Sequence, residues 1–136
     1  MVIYRFDIKH PNGFMESPYE FMNRKFDMQL SSWLKVPNNE IDYKKGWIGR
    51  KNSYFFTKAG MEAFIKYDLP FIKQKIPKNY KIIKSNYRWI NDTNKELIQY
   101  KDKFQLVLIT GHWLNTKSST KNKEKIEIKL INKNQI

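Results

Sequence analysis

From Tyr80 onward the residues favour strands, at 80–90, 96–100, 103–109 and 126–131, and this succession limits the fold more than any other feature. The last stretch, IEIKLI, sets Ile126, Ile128 and Leu130 on one side and Glu127 and Lys129 on the other. Ahead of these strands the pattern is mixed. Val2 to Ile8 alternates, with Val2, Tyr4, Phe6 and Ile8 on one face and Arg5 and Asp7 on the other; HPNG then turns the chain. SPYE at 17–20 starts a helix, in which Ser17 caps, Pro18 takes the first helical position and Glu20 completes a capping box. Tyr19, Met22, Phe26, Leu30 and Trp33 recur at helical spacing, which predicts a helix to about Leu34, ended by VPNNE.

Residues 35–52 are polar and turn-rich and read as a surface excursion. SYFF at 53–56 is a short strand. Thr57 caps a second helix with Met61, Phe64, Ile65 and Leu69 on its apolar face, and Pro70 predicts its end near Leu69. NTKSSTKNKE (115–124) reads as a polar linker before the C-terminal strand. Helices near the front with consecutive strands behind predict a single α+β domain over 1–136. Two main helices would pack on a mostly antiparallel sheet of about five to six strands.

A chain of 136 residues buries enough surface to hold a core without staples. Nine Phe, eight Tyr and four Trp supply much of that core, and the absence of Cys removes disulfides, thiolate metal sites and cysteine nucleophiles. The N-terminal stretch has no apolar run of signal-peptide length, and nothing reaches the ~18 apolar residues of a membrane span. The expectation is a soluble protein of the cytoplasm.

Charge is the strongest functional signal. Twenty-six basic residues against thirteen acidic ones leave a net charge of +13, a field that attracts polyanions, nucleic acid foremost. Residues 69–91 hold no carboxylate, while Lys73, Lys75, Lys78, Lys81, Lys84 and Arg88 supply six cations. On a strand over 83–90, Ile83, Ser85, Tyr87 and Trp89 point one way and Lys84, Asn86 and Arg88 the other. Ile82 beside Ile83 then requires a bulge or burial on both sides. With the aromatics on the core face, the row Lys84–Asn86–Arg88 suits phosphate contact better than base readout. Lys117, Lys121, Lys123, Lys125, Lys129 and Lys133, against Glu124 and Glu127, either extend this patch or form a mobile C-terminal tail.

Reaction chemistry is sparsely represented. His10 and His112 are the only histidines and neither has a second ligand at zinc-site spacing, so no metal site is expected. The five glycines form no phosphate loop, and no serine lies in a nucleophile elbow. Glu127 and Lys129 on one strand face are a fragment of a nuclease pattern, but neither Asp92 nor Asp102 has the context of the missing acid.

Two resemblances add to this reading. YRFDIKHPNGFMESPY, FFTKAGMEAF and QYKDKFQLVLI, within about residues 3–110, look like segments of small uncharacterised proteins of phages and mobile elements. The Lys-, Asn- and Ile-rich composition resembles AT-rich phage and bacterial genomes. This likeness implies a phage-like setting and no particular activity, although short phage proteins of this size often bind and block a host machine, as anti-CRISPR and other anti-defence proteins do. Taken with the net charge and the acid-free 69–91 segment, it leads to an expectation of stoichiometric binding to nucleic acid or a host nucleoprotein complex, without a cofactor. Arg5 in VIYRFD, Ser53 in NSYFFTKAGMEAF and Glu96 in NKELIQYKDKFQLVLI resemble, in order, the Arg, Ser and Glu of small ADP-ribosyltransferases. That resemblance implies a catalytic trio acting on NAD: Arg5 on the dinucleotide, Ser53 ordering the pocket, and Glu96 stabilising the oxocarbenium-like ribose. Here Ser53 is followed by Tyr-Phe-Phe-Thr instead of Thr-Ser, and Asn94 stands where a second acid or Gln is usual. A structural or assembly protein kept soluble by its lysines is the third reading.

Overall fold

The structure is a computed structural model that describes residues 1–35, 52–109 and 127–136. Among these residues the chain forms β1 (Val2–Lys9), β2 (Met15–Glu16), α1 (Pro18–Phe26), β3 (Asn52–Phe56), α2 (Lys58–Ala63), a π-helical segment (Phe64–Asp68) and α3 (Leu69–Lys75). It continues through β4 (Lys81–Trp89), a 3-10 turn (Lys95–Leu97), β5 (Ile98–Lys101), β6 (Gln105–Ile109) and β7 (Ile128–Gln135). The strands make a seven-stranded sheet in the order β5-β6-β3-β1-β4-β7, with β2 paired to β1, and each of these pairings is antiparallel. The α+β architecture expected from the sequence is therefore present. The linker at 115–124, and all but the ends of the 35–52 excursion, lie outside the described residues.

The first turn forms as HPNG predicts. Gly13 takes φ 92°, its N–H donates to the His10 carbonyl at 2.9 Å, and Phe14 N–H finds the Asn12 side chain at 3.0 Å. A residue with a Cβ would resist that φ. The turn sets the register of β1 and β2, pairing Ile8 with Glu16 and Lys9 with Met15.

The helix expected over 17–34 stops at Phe26. Ser17 caps its start, accepting from Tyr19 N–H at 3.2 Å, and Pro18 opens the first turn. At its end Asp27 enters the left-handed region (φ 52°), and Met28 N–H donates to the Met22 carbonyl at 3.2 Å, closing the last turn. The apolar spacing misleads beyond this point. Met28, Leu30, Trp33 and Leu34 do reach the core, but from a non-helical segment folded back over it.

Pro70 does not end the second helix. The chain stays helical from 58 to 75 by widening into the π segment, where Leu69 N–H bonds the Phe64 carbonyl five residues back. A proline ring normally collides with the carbonyl four residues before it and leaves a bond unmade. The wider turn shifts that ladder, so Pro70 sits in the first turn of α3 instead. Thr57 caps the start, accepting from Gly60 N–H at 3.2 Å and donating to the Lys103 carbonyl at 2.6 Å.

Two cores sandwich the sheet. On the helical side, Phe6, Ile8, Phe56 and Ile82 pack against Phe21, Met22, Phe64 and Ile72, and the Phe6 and Phe64 rings stack at 4.1 Å. On the other side, Ile3, Phe55, Trp89, Leu97, Leu106 and Leu108 form a second cluster. β1 is thus buried on both faces: Ile3 opposes the expected apolar face, which ends in a half-buried Tyr4 and an exposed Val2. Ile82 and Ile83 are likewise both buried, one on each side, so the two-sided solution is the one adopted in β4. No helix among the described residues is long and apolar enough to cross a membrane.

Candidate nucleic-acid interface

Side chains of directly paired residues in antiparallel strands share a face. The registers of β1, β4 and β7 therefore define rows across the sheet. On the helical side these are Ile8–Ile82, Phe6–Lys84–Asn134, Tyr4–Asn86–Asn132 and Val2–Arg88–Lys129. The first row lies under the helices, and the last is exposed at Val2, Arg88 and Lys129. Moving along β4 toward Trp89, this face changes from core to cations and amides with no carboxylate in these four rows, and Glu127 follows beyond the last of them, opposite Ile90. Lys84, half-buried, lays its ammonium over the Tyr4 ring at 5.5 Å from the centroid. Asn86 donates to the Asn132 side chain at 2.6 Å, while its own Oδ1 is buried without a partner. A β-bulge in β7 opposite Asn86 and Tyr87 admits one extra residue, Ile131, and keeps Asn132 and Lys129 on this face.

Arg88 and Lys129 face each other directly, as do Lys9 and Lys81 across β1 and β4. Like charges in such positions oppose pairing. Glu127, exposed two residues before Lys129 on the same side of β7 and bonded through its carbonyl to Ile90 N–H at 2.8 Å, is the acidic neighbour of the first pair. The arrangement concentrates positive potential at the β4–β7 corner.

The six cations singled out from the sequence do not form one strip. Lys84 and Arg88 share the row side just described. Lys81 projects with Lys9 from the opposite face. Lys73 and Lys75 belong to the last turn of α3, where cations favour the helix C-terminus, and Lys78 lies in the exposed turn before β4. The companions supplied by β7 were only partly legible. Lys129 belongs to the basic C-terminal run, but the placement of Asn132 and Asn134 depends on strand pairing across 46 residues.

On the opposite face, Arg5, Ser85 and Lys133 make one row and Asp7, Ile83 and Gln135 the next. Asp7 is 8 % exposed, and burial lifts its carboxyl above the ordinary value of 3.8 although Arg5, 3.7 Å away, and Lys133 pull it down. Ser85 is fully buried and its hydroxyl has no partner. Arg5 is thus committed to Asp7 on the central strand. Ser53 lies on β3, paired with Leu108 of β6, and Leu108 pairs in turn with Ile98 of β5; Glu96 is exposed in the 3-10 turn just before it.

His10 is held structurally: its Nε2 meets Glu16 at 2.5 Å, Arg24 joins the same oxygen at 2.6 Å, and the ring packs on Phe14, Phe21 and Tyr80. Among the described residues no cluster of three metal-ligating side chains occurs; His112 lies outside them. No protein-family model, curated protein or solved structure matches the chain.

Proposed function

We propose that this protein acts by stoichiometric binding to nucleic acid or a host nucleoprotein complex, in the manner of a small phage anti-defence inhibitor. The observation that carries the proposal is the corner of β4 and β7, where Arg88 stands opposite Lys129 with Lys84 and three asparagines alongside, so that cations outnumber the neighbouring Glu127. Two cations held face to face disfavour the fold and favour an anion placed between them. The asparagine amides add neutral donors that suit phosphate oxygens, and the net charge of +13 steers a polyanion to the surface. Backbone contact of this kind selects charge and shape more than sequence.

Filter retention of labelled duplex DNA, single-stranded DNA and RNA at low salt, repeated across a salt series, tests the reading. Affinity is expected to fall linearly in log–log form as salt rises. Absence of retention for nucleic acid and for host ribonucleoprotein at low salt would defeat it.

A further inference from the structure

A cleft of about 560 Å³ opens between the chain that follows α1 and the outer side of the second helix, away from the β4–β7 corner. Its volume falls within the range of small-molecule sites, about 300–1,000 Å³. Three uncommon features meet at its floor. The π segment ends on Asp68, which is 3 % exposed. Ser31 adopts a left-handed backbone (φ 64°), which a non-glycine residue takes at a cost. The Asp68 carboxylate accepts Ser31 N–H at 3.0 Å, the Ser31 hydroxyl, and the Trp33 indole N–H at 3.2 Å. A carboxylate has about four acceptor positions, so these three donors leave one unfilled, on the Oδ1 that takes Ser31 N–H, and Asp68 is among the residues that line the cleft.

The walls are flat and apolar. Trp33 is fixed by its bond to Asp68 and by edge contact with Phe104 at 5.3 Å. Tyr67 and Phe71, one helical turn apart, also line the cleft and are 49 % and 53 % exposed. Exposed rings gathered along a cleft, unlike ones scattered singly, mark a candidate ligand-binding groove. Gln29 and Ser32, both exposed, add hydrogen-bonding groups to the lining. A carboxylate at the floor repels anions, so an occupant must present a donor there and a planar face to the rings.

We propose that this cleft binds a flat heteroaromatic ring with an N–H donor edge, of the kind adenine or cytosine presents. The ring lies between Trp33 and the Tyr67–Phe71 pair, and its exocyclic amine donates to the open position of Asp68. Stacking of this type tolerates different bases because each has a π face. The site is separate from the cationic corner and does not depend on the function proposed for it.

Titration of the ¹⁵N-labelled full chain with adenine and with cytosine, followed at the Ser31 amide and the Trp33 indole N–H, tests the inference. Saturable shifts at both resonances are expected with at least one of the two bases, and benzoate, planar but anionic, should produce none. Phe71→Ala removes an exposed wall without touching the floor and should weaken binding about tenfold, whereas Arg88→Gln should leave it unchanged. No saturable shift with either base, equal binding of benzoate, or indifference to Phe71→Ala would each overturn the proposal. If Arg88→Gln alone abolished the shifts, the site would lie at the sheet corner instead, and the proposal would fall on that result too.

Discussion

Asp68 holds Ser31 through two of its three hydrogen bonds, reaching across 37 positions of sequence to accept both the backbone N–H and the hydroxyl. This contact decides the path of the chain after α1. With Ser31 tied to the second helix, residues beyond Asp27 cannot continue α1, and Met28, Leu30 and Trp33 enter the core from the side.

Burial raises the Asp68 carboxyl above 3.8, while the Ser31 hydroxyl, the Ser31 N–H and the Trp33 indole pull it back. Its stabilising contribution is therefore full below the unfolded value and is lost as pH rises through the folded one. Ser31→Ala removes one of the groups that favour ionisation, so the folded value should climb further. The variant's deficit in urea unfolding, about 1–3 kcal/mol at neutral pH, should shrink on acidification. A deficit that stays constant from neutral pH to pH 3 would contradict this account.

Asp102 has the opposite sign. Burial would raise its carboxyl, but the Phe104 N–H at 2.8 Å, the Tyr100 hydroxyl at 2.8 Å and the Gln105 N–H at 2.9 Å outweigh it, and the net shift is downward. Its contribution is present above 3.8 and disappears as pH falls through the lower folded value. Asp102→Asn should cost about 1–2 kcal/mol at neutral pH and nothing at the acid end, read from denaturant curves at both pH values.

Gly60 admits no side chain. A Cβ there would overlap the Phe104 carbonyl and crowd the Phe56 ring. The Phe104 carbonyl also accepts Thr57 N–H at 3.0 Å, so it cannot retreat without releasing the cap of α2. Gly60→Ala should destabilise by about 3 kcal/mol or more, measured as a shift of the thermal or urea midpoint. Glycine's usual helix penalty would make Ala the better residue at an open site.

At the sheet corner, Arg88→Gln with Lys129→Gln relieves a like-charge pair. Stability should hold or rise by a few tenths of a kcal/mol. Polyanion affinity should fall, and the log–log salt slope should flatten by about 1.4–1.8 if both cations neutralise phosphates. Lys73→Gln with Lys75→Gln, on the α3 terminus, provides the comparison, since those cations lie outside the corner. An equal loss from both doubles would mean that net charge alone drives binding.

Much of the fold is legible along the chain because its signals are local. Gly13 in HPNG, Ser17 with Pro18, and Thr57 act on backbone groups within a few residues, so turn and caps follow from sequence alone. The alternation of Lys84, Asn86 and Arg88 with Ser85, Tyr87 and Trp89 likewise follows from the pleat, and Trp89 does turn inward, 1 % exposed. The elements that departed were governed by distant partners. A periodic apolar pattern reports which side chains are buried, not whether the backbone between them is helical, and so Leu30 and Trp33 prolonged α1 on paper. Pro70 signalled an end because its penalty assumes an α ladder, which the π segment replaces.

The candidate surface divides in the same way. The excess of cations and the acid-free run 69–91 are properties of the sequence, present in any fold this chain adopts. Which cations stand together is a property of register. One residue of slip between β4 and β7 would carry Lys129 to the other face, and the β7 bulge at Ile131 offsets such a slip. Pairing energies between strands far apart in sequence, summed over the whole ladder, set that register, and no local pattern encodes them.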